Sequence, residues 1–237
     1  REDWPERDDP LFAYAVWIHT PGGWWGSGVL IHSSDRGTYV LTAAHVASDD
    51  DGYAHADGKI EVGVWAQSHT STIQEPHATY VADVVASTSA RAPTSEDPDA
   101  GTAAMVDWIF GRDLAILRLR TDRRFVTAPL YTGSSDEIRD VPMVVVAVVP
   151  EMYPHRKSAS LVGEKFLCPD SVDGNSGAPI FADGRVVGLC TSEILSPGPK
   201  LLDDFIRAHE EIRFLLETAA GPTGGMETPA SEGQRGR

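Results

Sequence analysis

Three segments of this chain set a histidine, an aspartate and a serine where each could take part in nucleophilic chemistry. In Tyr39-Val40-Leu41-Thr42-Ala43-Ala44-His45-Val46, an apolar run ends in two alanines and a histidine. In Arg112-Asp113-Leu114-Ala115-Ile116-Leu117-Arg118-Leu119, a carboxylate heads an apolar run. In Asp173-Gly174-Asn175-Ser176-Gly177-Ala178-Pro179, a serine lies among glycines in a turn that leads into a buried strand. Taken singly, each is ordinary: a structural histidine, a turn aspartate, a hairpin glycine pair. Taken together they supply what an alcohol nucleophile needs. A serine hydroxyl attacks poorly at neutral pH unless an imidazole takes its proton, and a carboxylate holds that imidazole in the right tautomer. No lysine follows the glycines, so the turn is not a phosphate loop.

The elements that must position these residues read as short strands. Runs at 12–19, 28–32, 39–42, 60–66, 79–86, 114–119, 143–149, 178–181 and 185–190 are rich in Val, Ile, Leu, Tyr and Trp. Gly, Asp, Pro and Ser bound them, as in β-strands separated by turns. Many short strands with little helix predict a sandwich or a barrel. Residues 87–101 (STSARAPTSEDPDAG) read as a long surface loop. Ile212, Leu215 and Leu216 fall at helical spacing and predict a short amphipathic helix over 210–218. The expected organisation is an irregular lead-in at 1–10, a first unit at 11–125, a second at 126–219, and a disordered tail or linker at 220–237.

The order His, Asp, Ser, in the contexts TAAH, DLAIL and GNSGAP, resembles the trypsin/chymotrypsin superfamily, in particular its bacterial Deg/Htr branch. Gly26-Ser27-Gly28-Val29-Leu30-Ile31 resembles the second strand of that branch, and the resemblance runs from about Phe12 to Leu216. It implies an all-β chain of two six-stranded antiparallel β-barrels of the chymotrypsin type, with a short C-terminal helix. It also implies a serine endopeptidase with His45 as general base, Asp113 as its orienting carboxylate and Ser176 as nucleophile. The amides of Gly174 and Ser176 would form the oxyanion hole. Losing one such donor can cost about 10²–10³ in rate.

The same resemblance puts Asp170, six residues before Ser176, at the floor of the specificity pocket, with Thr191, Ser192 and Glu193 along one wall. A carboxylate there would take an Arg or Lys side chain through a charge-assisted contact. Glu193 departs from the glycine common at that position, narrowing the pocket or adding negative charge to it. Before the serine stands Asn175, not the aspartate that a newly cut N-terminus would pair with, so the resemblance implies a peptidase that folds without activation cleavage. Two other readings stay open: a catalytically silent binding module, and the protease domain of a larger regulatory assembly.

Composition narrows the partners. The 237 residues carry a formal net charge of -15, which disfavours nucleic acid and anionic lipid and suits cationic peptides. No apolar run reaches the ~20 residues of a membrane helix, and no signal peptide is visible. Two cysteines, Cys168 and Cys190, exclude a disulfide-stapled framework and are expected as unbridged, buried thiols. These absences point to the bacterial cytoplasm. The eight histidines show no metal-ligand spacing, so no metal or cofactor is expected. The expected partner is a protein or peptide substrate, with a regulatory partner left open. Gly22-Gly23-Trp24-Trp25-Gly26 reads as a turn with half-buried tryptophans near the cleft.

Overall fold

The computed structural model describes residues 9–49, 54–55, 58–64, 78–88, 113–148, 154–169, 171–191 and 196–208. Six strands build the first half: β1 Ala15–His19, β2 Trp25–Ser34, β3 Gly37–Thr42, β4 Ile60–Val64, β5 Ala78–Ser87 and β6 Ala115–Leu119. All neighbours pair antiparallel, and β1 meets β4 to close a barrel in the order β1-β2-β3-β6-β5-β4.

The two-residue period of a strand explains the packing. Val16, Ile18, Leu30, Val40, Leu117 and Leu119 fill the barrel interior. Their alternate neighbours Trp17, Val29, Ile31, Tyr39, Leu41 and Ile116 point the other way into a second cluster. Both faces of these strands are therefore apolar, because both are covered.

What covers the outer face is the second half. Its strands are β7 Met143–Ala147, β8 His155–Val162, β9 Lys165–Leu167, β10 Ala178–Ala182, β11 Arg185–Cys190 and β12 Ser196–Pro197. They form a six-stranded sheet in the order β11-β10-β7-β8-β9-β12. Val146, Val148, Phe181, Val186 and Leu189 join the outward residues of the barrel in one core. Of the two six-stranded barrels expected, the first closes, and the second half is a six-stranded sheet whose end strands β11 and β12 share no ladder among the described residues. With only two residues, β12 pairs only with β9.

Other parts of the chain also differ from the sequence reading. Residues 12–14 belong not to a strand but to a 3₁₀ turn, Pro10–Tyr14. Asp9 caps that turn by accepting from the Leu11 amide at 3.0 Å, with Pro10 pre-set at its start. Asp9 also pairs with Arg156 of β8, tying this entry to the second sheet. Strand β8 escaped detection because HRKSASLV is mostly polar, and its side chains alternate between half-buried and exposed. A helix, α1 (Pro199–Ala208), lies where none was read, with Leu202, Phe205 and Ile206 packed on the shared core. The loop expected at 87–101 starts later, because β5 runs through Ser87; its residues 89–101, the helix expected at 210–218 and the tail at 220–237 lie outside the described residues. Among those described, no helix is long and apolar enough to cross a membrane.

Candidate active site

His45 stands three residues beyond the end of β3, in a tight turn. The amides of Val46 and Ala47 donate to the carbonyls of Ala43 and Ala44 at 3.2 and 3.0 Å, and the Ser48 hydroxyl donates to Ala44 O at 2.7 Å. Ala43 and Ala44 are fully buried, and their small side chains let the turn fold against the barrel interior.

Asp113 precedes β6. The Leu114 amide donates to Thr88 Oγ1 at 3.0 Å and the Thr88 amide donates back to Leu114 O at 2.9 Å, which fixes the strand's head. The carboxylate is buried, and both of its oxygens face His45. Oδ2 lies 2.5 Å from the ring Nδ1, and Oδ1 accepts from the His45 amide at 2.9 Å. With Nδ1–H turned to the carboxylate, Nε2 is left as the acceptor. Burial alone would push the imidazole towards its neutral form. The hydrogen bond and the charge of Asp113, with a further push from Cys190, outweigh it and raise His45 above the ordinary histidine value.

Ser176 comes from the second half, in the turn between β9 and β10. Gly174 and Gly177 hold φ of +89° and +85°, left-handed conformations that glycine adopts without penalty. Gly177 is also pressed against the barrel: a Cβ there would overlap Ser27 O and Thr42 Oγ1. The Ser176 turn therefore abuts the end of β3 that leads to His45. Three of its amides are hydrogen-bonded. The Asn175 amide donates to Val172 O at 3.0 Å, the Gly177 amide to Cys190 O at 2.7 Å, and the Ala178 amide to Asn175 O at 2.8 Å. Among the described residues the amides of Gly174 and Ser176 donate to no acceptor, and Ser176 Oγ makes no hydrogen bond to His45. Such a bond often tightens only when substrate is bound.

Across the seam, Ser27 of β2 ties the turn down. Its amide donates to Ser176 O at 2.8 Å, and its hydroxyl donates to Gly174 O at 3.1 Å and accepts from the Val148 amide at 3.3 Å. Sequence reasoning used Ser27 only as part of the Gly26–Ile31 run. A lone serine between two glycines inside an apolar strand was the available signal.

Of the expected pocket residues, Thr191 is buried just after β11, its amide donating to Ser196 Oγ at 2.9 Å. Asp170, Ser192 and Glu193 lie outside the described residues. Cys168 and Cys190 are buried and unbridged, as expected. The Trp24–Trp25 turn is more exposed than expected at its tip: Trp24 is 67% exposed, while Trp25 stacks on His19 at 4.2 Å and leans on Trp17 at 5.1 Å.

Comparison with known proteins decides the family. A model of the trypsin-like peptidase domain matches residues 26–189. The chain belongs to that family. This trypsin-like peptidase is thus a hydrolase of peptide bonds by descent, and its matched span includes His45, Asp113 and Ser176. Its fold is similar to the crystal structure of Deg5, with a TM-score of 0.54 and 18% identity, covering 83% of this chain and 87% of that one. It is also similar to a serine endoprotease from Yersinia pestis, with a TM-score of 0.52 and 19% identity over 85% of this chain and 64% of that one. No curated protein matches the peptidase by sequence. Among its described residues no cluster of His, Cys, Asp and Glu side chains could hold a metal ion.

Proposed function

We propose that this trypsin-like peptidase is a serine endopeptidase that works through an acyl-enzyme and cleaves after Arg or Lys. The observation that carries the reading is the double grip of Asp113 on His45, through the ring and through the backbone. A carboxylate buried at that cost serves a base that must carry positive charge during reaction.

In this reading His45 Nε2 takes the proton of Ser176 Oγ as the oxygen attacks the scissile carbonyl carbon. The amides of Gly174 and Ser176 receive the developing oxyanion. Collapse breaks the C–N bond, and the imidazolium returns its proton to the leaving amine. Water, deprotonated by the same imidazole, then hydrolyses the ester and restores Ser176. The undonated amides and the left-handed glycines support the oxyanion role.

The Arg/Lys preference rests on the sequence position of Asp170, with Thr191, Ser192 and Glu193 as further pocket residues, and on the net charge of -15. The division of labour follows the expected units, 11–125 carrying His45 and Asp113, and 126–219 carrying Ser176.

The test is a peptide-library cleavage profile with fluorophosphonate labelling of the wild type and Ser176→Ala. Cleavage after Arg or Lys, with labelling lost in the variant, is expected. A folded wild type that takes no label would favour the silent binding module. Faster cleavage after Phe or Ala would overturn the pocket assignment.

A further inference from the structure

Behind the nucleophile's turn lies a pair of thiols that the hydrolytic steps do not use. Cys168 and Cys190 are both buried in the core of the second sheet, and neither is in a disulfide. Ser171 spans them: its amide donates to Cys168 O at 3.1 Å, and its hydroxyl lies 3.2 Å from Cys190 Sγ. Cys190 is in turn bonded to the active turn, because its carbonyl accepts the Gly177 amide at 2.7 Å.

We propose that Cys168 and Cys190 form an oxidative modification site, a dithiol that a hydroperoxide closes to a disulfide and that thereby switches off attack by Ser176. The proposal rests on the peptidase reading above and adds its regulation.

The chemistry suits the two sulfurs differently. The Cys168 thiol donates to the Cys190 sulfur, which lowers Cys190 to about 7 and pushes Cys168 up. Cys190 is thus the thiolate, the nucleophilic form, and Cys168 keeps its proton. The Cys190 thiolate attacks one peroxide oxygen, the O–O bond breaks, and hydroxide leaves to give a sulfenic acid. Cys168 sulfur then attacks Cys190 Sγ, the S–O bond breaks, and the Cys168 proton goes to the departing hydroxide. The hydroxide of the first step takes up the proton that Cys190 released on ionising, so two thiols and one hydrogen peroxide give one disulfide and two waters. Both thiols are buried, while Ser171, whose hydroxyl lies against Cys190 Sγ, is half-buried.

Closure matters because a disulfide requires sulfurs about 2.05 Å apart, closer than hydrogen-bonded thiols. Drawing Cys190 towards Cys168 shifts the carbonyl that holds Gly177, one residue from Ser176. A displacement of ~1 Å in such a site can cost ~10²-fold in rate.

The experiment treats the full chain with hydrogen peroxide and reads intact mass, alkylation of the two cysteines after denaturation, and fluorophosphonate labelling of Ser176. The expected result is a loss of two hydrogens, neither cysteine alkylated, and labelling slowed at least ~10-fold and restored by dithiothreitol. Cys168→Ala is expected to label normally when reduced and to gain oxygen at Cys190 without bridging. The proposal is overturned if both wild-type thiols stay alkylatable, if they bridge with labelling unchanged, or if Cys168→Ala shows the same dithiothreitol-reversible loss. Absence of labelling in the reduced wild type would instead strike the peptidase reading, while the mass measurement would still decide whether the bridge forms.

Discussion

The Ser27 amide donates to the Ser176 carbonyl at 2.8 Å, so the Ser176 backbone is held by a strand of the opposite half. The Ser27 hydroxyl reinforces the hold through Gly174 O and the Val148 amide. Ser27→Ala keeps the first bond and removes the other two, leaving buried groups unpaired at about 1–3 kcal/mol. Thermal unfolding should fall by a few degrees, and the labelling rate of Ser176 should drop with it. An unchanged midpoint would show that the hydroxyl is dispensable.

Gly177 has a stricter requirement than an ordinary turn glycine. Its φ of +85° disfavours any side chain, and a Cβ would also meet Ser27 O and Thr42 Oγ1. Gly163 shares the conformation at φ +63° with nothing within 4 Å of a Cβ. Gly163→Ala should cost about 1–2 kcal/mol, and Gly177→Ala clearly more, with labelling of Ser176 abolished. Equal unfolding midpoints for the two variants would refute the close approach.

The acid limb of the reaction follows from His45. Only the neutral imidazole can accept the Ser176 proton, and Asp113 raises its pKa above the ordinary ~6.5. The protonated form therefore persists to higher pH. The rate of fluorophosphonate labelling should decline as pH falls through a midpoint above ~6.5, and Asp113→Asn should lower the plateau by roughly 10⁴. A rate that stays level from about pH 8 to about pH 5 contradicts the base assignment.

Substrate choice is testable through Asp170. On the proposed pocket assignment, replacing it with serine would remove a charge-assisted contact worth about 1.5–3 kcal/mol. For Arg and Lys peptides kcat/KM should fall by roughly 10- to 100-fold, with little change for Ala peptides. An equal fall for both classes would assign Asp170 a structural role.

Much of this architecture could be read from side-chain alternation. Strands such as β3 and β6 put apolar residues on both faces, so their runs stand out against any background. His45 and Asp113 could be read because each sits where such a run stops or starts. By contrast, β8 meets solvent on one face and gives two of its four other positions to His155 and Lys157, so only Ala159 and Leu161 are left to mark an apolar rhythm. Phe12 and Tyr14 look like strand residues, yet the Asp9 cap and Pro10 bend them into a 3₁₀ turn, a local override of β propensity. The Ser27 hub depends on contacts between residues more than a hundred positions apart, which no local pattern encodes.

One consequence follows from the apolar seam shared by Tyr39, Leu41, Ile116, Phe181, Val186 and helix α1. The His45 imidazole and the Ser176 hydroxyl come from opposite banks of that seam, so their alignment depends on adhesion between two sheets. Warming that loosens adhesion should silence hydrolysis while each sheet is still folded, and inactivation should therefore run ahead of the loss of β structure.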